Sequence, residues 1–250
     1  MFNLKDKKIV VTGAAQGNGK AIAKGLSQLG ATVILADLNQ AGLEQAHISI
    51  QHTNAVVKSK VLDIACPEQC LEFATWVQEE VGDIDVLVNN AGILRRSEFE
   101  SLQWQQDFQD TFKVNVQGSY YLTHALLNSL KQTKGNIVNV ASIQSFVAAT
   151  TATSYAISKG AVAQMTKTLA AELAQYQIRV NAIAPGIIET PMTEFTRSNV
   201  NVLNAYLNHV PMRRMGQAHE LIGPVAFLCS DAASYVTGCI LPVDGGYLTV

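Results

Sequence analysis

The chain has 250 residues, 48% of them hydrophobic and 15% charged, with a net charge of −2. That composition can supply a large core and excludes a disordered chain. With no run of Lys or Arg, it also speaks against nucleic acid or an anionic membrane as a partner.

At the N-terminus, "MFNLKDKKIVVTG" places charges where a signal peptide needs an apolar stretch. No uninterrupted apolar run reaches membrane-spanning length, so a soluble, cytoplasmic protein is expected. From there, short β-branched runs alternate with helical segments. "KKIVVTG" (7–13) reads as a strand, 16–30 as a helix stopped by Gly30, and "TVILAD" (32–37) as the next strand. "AVVKSKVLD" (55–63) reads as a third strand, and Pro67 suits the N-terminus of a helix over 67–81. "IDVLVNNAG" (84–92) is a strand running into a loop, followed by helices around 101–110 and 111–131. "GNIVNVAS" (135–142) is a strand, 152–175 a long helix, and "IRVNAIAPG" (178–186) another strand. A helical excursion at 194–210, a helix over 218–230 and a last strand at 239–246 complete the chain.

The strands are nearly continuous apolar runs rather than strict alternations, as expected of a parallel sheet covered on both faces. Repeated βα units without a linker or composition shift give one doubly wound α/β domain over 1–250. The unusually long connection at about 187–212 has the character of a substrate loop.

Cys66 and Cys70 share a helix face, which is neither a redox CxxC nor a common zinc half-site. The histidines at 47, 52, 124, 209 and 219 show no paired-ligand spacing. No metal is expected.

Glycines at 13, 17 and 19 lie between the first strand and its helix. Glycine lets the backbone turn tightly and approach a pyrophosphate, whose charge meets the N–H groups of the helix start. A tight βα turn needs glycine for steric reasons too, but Asp37 adds to the pattern. Ending the second strand, 18 residues beyond Gly19, its carboxylate is placed for the ribose hydroxyls of an adenosine. A 2′-phosphate there would face a like charge, and no cation in "GAAQGNG" or directly after Asp37 would receive it. NAD is therefore expected over NADP. Further on, the helix "ATSYAISKGAVAQMTKTLAAELA" sets Tyr155 and Lys159 one turn apart on one face, where they could be an ordinary amphipathic pair or a working one.

These features, together with Asn89 to Gly92 (N-N-A-G), Asn115, Ser142 and Pro185–Gly186 (P-G), resemble the short-chain dehydrogenase/reductase (SDR) family. The likeness covers essentially the whole chain. It implies a Rossmann-like domain with a seven-stranded parallel sheet. It implies a cofactor set of Gly13, Gln16, Gly17, Asn18, Gly19, Asp37, Leu38, Asp63, Ile64, Asn89, Ala91, Gly92, Tyr155, Lys159, Pro185 and Gly186, with Ile188 and Thr190 at the nicotinamide carboxamide. Asn18 departs from the family, where many members carry an aliphatic residue.

By the same resemblance Tyr155 is the acid/base. A phenol is a poor base at neutral pH, and a nearby cation such as Lys159 favours its ionised form. Ser142, at the carboxyl end of its strand, would hydrogen-bond the substrate oxygen. Asn115, within the long helix before it, would help hold a water relay from Lys159. Substrate contacts are expected from Ile93, Leu94, Ser142, Ile143, Gln144, Phe146, Ile187, Met192 and the 194–210 segment, around a small, cyclic or polyol-like secondary alcohol or ketone. A 3-oxoacyl-thioester reductase is the alternative, because "RVNAIAPGIIETPMT" and "AFLCSDAASYVTG" are similar to that branch of the family. A non-catalytic NAD sensor stands lower. The resemblance also implies a homo-tetramer packing helices 111–131 and 152–175 against their symmetry mates.

Overall fold

The computed structural model describes residues 2–51 and 56–250. In chain order it has β1 (Lys8–Thr12), α1 (Gly17–Gln28), β2 (Thr32–Asp37), α2 (Gln40–Gln51), β3 (Val57–Val61), α3 (Pro67–Glu80) and β4 (Val86–Asn89). Next come α4 (Trp104–Phe112), a π-helical turn (Lys113–Gly118), α5 (Ser119–Ala125), α6 (Leu127–Thr133), β5 (Asn136–Val140) and α7 (Thr153–Leu173). The chain ends with β6 (Arg179–Pro185), β7 (Ile188–Glu189), α8 (Glu194–Ser198), α9 (Val200–Asn208), β8 (Gly216–Gln217), α10 (Ile222–Cys229) and β9 (Ile240–Val243).

Seven parallel strands form one sheet in the order β3-β2-β1-β4-β5-β6-β9, and β7 pairs with β8 in a separate ribbon. The order reverses between β1 and β4, and open α/β sheets bind ligands at the carboxyl edge of such a switch point. Successive side chains of a strand point to opposite faces, and here both faces are buried. Ile9, Val11, Val33 and Leu35 pack with Ile22 and Leu26 of α1 and Val225 of α10. Val10, Ile34, Leu87 and Ile137 pack with Phe73 of α3 and Leu122 of α5 on the other side. Each fully buried branched side chain contributes about 1.5–3 kcal/mol, and this double cover explains why the strands read as nearly unbroken apolar runs.

Several boundaries differ from those expected. Helix α2 was not foreseen; the Asn39 side chain caps it by accepting from Gly42 N at 3.1 Å, and only Leu43, Ala46 and Ile50 face the core. The third strand is shorter, and its expected first residue, Ala55, lies outside the described residues, as does His52. The helix expected over 111–131 passes through the π turn and breaks again at Leu126. The 194–210 segment divides at Asn199, whose extended backbone and side-chain acceptor for Val202 N at 3.2 Å start a new helix. Residues 218–221 form a 3₁₀ turn leading into α10. No helix among the described residues is long and apolar enough to cross a membrane.

Candidate active site

A cleft of about 670 Å³ runs along the carboxyl edge of the sheet. At one end the β1–α1 loop forms its floor. Gly13 adopts φ of +64°, and a Cβ there would lie 2.9 Å from the Ala91 backbone, so glycine is required on both counts. Gln16, in extended conformation, precedes α1 without a side-chain cap, and the first turn holds no acidic residue. The open N–H groups of this helix start therefore suit an anion.

Asp37 borders the loop. Its Oδ2 accepts from Ala15 N and its Oδ1 from Asn39 N, each at 2.9 Å. These two bonds aim the carboxylate while leaving lone pairs for a ligand. Leu38, Asp63 and Ile64 line the same end, and Asp63 Oδ1 accepts from Ala65 N at 2.9 Å. Thr12 Oγ1 accepts from Asn90 N and Ala91 N at 3.0 Å, and Asn90 Nδ2 donates to Thr12 O at 2.8 Å. The loops after β1 and β4 are thus clamped together.

The other end holds the hydroxyl and ammonium groups. Ser142 leaves β5 in extended conformation and caps the 143–145 turn, its Oγ accepting from Gln144 N at 3.2 Å. The same hydroxyl faces the Tyr155 phenol and pulls its ionisation downward. One turn along α7, Lys159 Nζ donates to Val140 O at 2.6 Å and lies 5.6 Å from the Tyr155 ring centroid. Burial pushes the Tyr155 phenol up to about 12, against the smaller downward pulls of the Ser142 hydroxyl and the Arg96 charge. Burial also lowers Lys159 to about 8. The expected lowering of the phenol by its neighbouring ammonium is not found: the downward pulls come from Ser142 and Arg96, and the cost of taking the charge out of water exceeds both.

Among the expected cofactor residues, Gly13, Gln16, Gly17, Asn18, Asp37, Leu38, Asp63, Ile64, Ala91, Gly92, Tyr155, Lys159, Pro185, Gly186, Ile188 and Thr190 line the cleft. Gly19 does not. It packs beneath the loop, where a Cβ would collide with the Gly13 carbonyl and Asn90. Asn89 does not either. Still within β4, its side chain points into the sheet layer and donates to Thr123 Oγ1 and Asn139 Oδ1, both at 3.0 Å, while Asn90 reaches the cleft.

Asn115 sits behind the site in the π turn, a distortion frequent at functional sites. Its amide accepts from Ile93 N at 2.8 Å and donates to Ile93 O and Ser158 Oγ at 3.0 Å, clasping the post-β4 loop to α7. Of the expected substrate residues, Ile93, Leu94, Ser142, Ile143, Gln144, Ile187 and Met192 line the cleft. Phe146 does not; it follows the 3₁₀ turn and stands about half exposed, while Val147 to Thr150 border the cleft instead.

Thr196 and Tyr206, from the 194–210 segment expected at the substrate, also line the cleft, and Arg96 and Tyr247 join them unforeseen. Tyr206 of α9 stacks on Tyr247 at 4.8 Å, and His209 meets the same ring edge-on at 4.5 Å, so the C-terminal segment folds back against the substrate loop. The adjacent arginines after N-N-A-G were the available signal for Arg96. Two buried acceptors on the lining, Asn18 Oδ1 and Gln144 Oε1, have no partner among the described residues.

Residues 13–248 match a family model described as enoyl-(acyl carrier protein) reductase. A 3-oxoacyl-(acyl-carrier-protein) reductase of Thermotoga maritima is 39% identical over 246 residues, covering 98% of this chain and 99% of the relative. A gluconate 5-dehydrogenase of Gluconobacter oxydans is 33% identical over 247 residues, covering 98% and 96%. The crystal structure of a gluconate 5-dehydrogenase from Burkholderia cenocepacia, in complex with NADP and tartrate, superposes with a TM-score of 0.96 at 32% identity, covering 100% of this chain and 98% of that one. Fold, cleft and end-to-end similarity agree: the chain belongs to the short-chain dehydrogenase/reductase family, oxidoreductases that use a nicotinamide cofactor.

Proposed function

We propose that the protein is an NAD-dependent dehydrogenase/reductase acting on a small polyhydroxylated secondary alcohol and its ketone. The observation that carries this reading is one continuous cleft. It has a glycine loop, an open helix start and the Asp37 carboxylate at one end, and Ser142, Tyr155 and Lys159 at the other. The lining fits a dinucleotide: α1 offers N–H donors to a pyrophosphate, and the unpartnered Asn18 Oδ1 offers an acceptor to a hydroxyl. When bound, the cofactor takes up or gives back the hydride.

The chain's own residues handle the proton and the orientation. Tyr155 exchanges a proton with the substrate oxygen as the carbon–hydrogen bond breaks or forms. Ser142 donates to that oxygen and steadies its developing charge. Lys159 keeps positive charge beside the phenol, and Asn115, by family similarity, supports its proton relay while holding the loop that carries Ile93. Ile188 and Thr190 take the carboxamide. Gln144 Oε1, without a partner, accepts from a substrate hydroxyl, which favours a polyol over a plain alcohol. Preference for NAD rests on Asp37, because the adenosine end carries Asp37 and Asp63 and, among the described residues, no cation.

A second reading, reduction of a 3-oxoacyl thioester with NADPH, is supported by the Thermotoga maritima relative. Steady-state rates on a panel of polyols and hydroxy acids with NAD, set beside acetoacetyl thioester with NADPH, separate the two. Faster thioester turnover overturns the first.

The proposal includes a homo-tetramer. Tyr120 of α5 and Ile157 of α7 are exposed on the helices expected to meet symmetry mates.

A further inference from the structure

Charge is segregated along the cleft. Its acidic lining residues, Asp37 and Asp63, are both at the adenosine end, whereas its cations, Lys159 and Arg96, are at the reacting end. Lys159 is committed to the Val140 carbonyl. Arg96 is not committed to any charge. Its neighbour Arg95 faces Asp110 at 3.8 Å, but among the described residues Arg96 forms no ion pair. One Nη donates to Thr196 Oγ1 of α8 at 3.0 Å, and the guanidinium lies 5.8 Å over the Phe195 ring. These contacts fix the plane of the group and leave most of its five N–H donors unused. It is close enough to Tyr155 to pull on the phenol's ionisation.

An oriented guanidinium with an open fork, in a pocket end that among the described residues holds no carboxylate, is matched by a planar anion able to accept two parallel hydrogen bonds. We propose that Arg96 binds a carboxylate of the substrate, so that the enzyme acts on a polyhydroxy acid (or its keto form) in preference to the uncharged polyol. The inference deepens the function proposed above and rests on it. Because Arg96 follows β4 and Thr196 belongs to the substrate loop, acid binding also joins the cleft floor to its cover.

The test pairs acids with their neutral amides, D-gluconate with D-gluconamide and D-galactonate with D-galactonamide. Each is assayed as substrate, and as competitor of whichever alcohol the enzyme oxidises. The wild-type protein is expected to prefer acid over amide by about tenfold or more, the size of a hydrogen bond to a charged group, and the preference should shrink with added salt. In Arg96→Gln the acid-to-amide ratio of kcat/KM falls toward one, and Arg96→Lys recovers part of it. Equal use of acid and amide by the wild type overturns the inference even if Arg96→Gln fails to fold. Equal losses on both compounds in Arg96→Gln also overturn it, because they mark a clasp for the loop and nothing more. Alcohol oxidation without acid preference removes this inference and leaves the dehydrogenase reading standing. Calorimetric binding of D-gluconate over D-gluconamide, lost in Arg96→Gln but without turnover of any alcohol, does the reverse.

Discussion

Replacing Lys159 by Met should abolish turnover and leave the fold intact, although Lys159 is 5% exposed and hydrogen-bonded at 2.6 Å. Burial alone takes this ammonium from 10.5 to about 8. At about 1.4 kcal/mol per pH unit, the folded protein carries a penalty of about 3 kcal/mol at neutral pH for keeping it charged. Against that stands a charge-assisted bond to the Val140 carbonyl, worth about 1.5–3 kcal/mol. Met has similar length and an adaptable, apolar chain, so the two effects nearly cancel. The variant should lie within about 1–2 kcal/mol of the wild type at pH 7 on these magnitudes.

The pH dependence is sharper. Between about 8 and 10.5 the unfolded lysine holds its proton while the folded one has released it. The unfolded state then binds more protons, and stability attributable to Lys159 rises with pH. Urea unfolding of both proteins without cofactor, at equal concentration and at pH 7 and about 10, isolates this term. Cys and Tyr ionisations are common to both and cancel in the difference. The wild type should gain up to about 3 kcal/mol on the variant over that interval. A variant destabilised by much more than 3 kcal/mol at pH 7, or a gap independent of pH, would refute the account of Lys159 as a charge held at a cost.

Three other outcomes are expected. Tyr155→Phe should lower kcat by about 10²–10⁴, the usual worth of a positioned acid/base, while NADH binding followed by fluorescence persists; near-normal turnover removes the assignment. Asp37→Ser should raise the NADP-to-NAD ratio of kcat/KM by about a hundredfold, since a like-charge contact costs several kcal/mol. A wild-type enzyme that already uses both cofactors equally contradicts that reading. Light scattering should return the mass of four chains, and a monomer mass would end the tetramer proposal.

Much of the architecture was legible because its physics is local. Seven apolar runs separated by helical stretches require a sheet buried on both faces, and the glycine turn after β1 fixes where a dinucleotide can lie. Helix α2 was harder, since three apolar contacts among Gly42, His47 and Ser49 make a faint stripe; its clearest mark was the Asn39 cap. The π turn around Asn115 depends on one extra residue per turn, which leaves no compositional trace. Adjacent positions were the least legible. N-N-A-G contains two asparagines, and strand alternation sends Asn89 into the sheet layer and leaves Asn90 to the cleft.

The two arginines after that motif pose the same problem without a strand to resolve it. Arg95 and Arg96 are identical in sequence terms. Asp110 of α4 takes one, and Thr196 and Phe195, about a hundred residues away, hold the other over the reacting groups. The ionisation of Tyr155 was missed for a related reason. Its spacing from Lys159 measures the attraction between the pair, but not the depth at which both are set. Depth decides here, because it raises the phenol and lowers the ammonium together. A site built this way keeps its proton on the tyrosine until further positive charge enters the cleft, and Arg96 is the side chain on the lining with charge to spare.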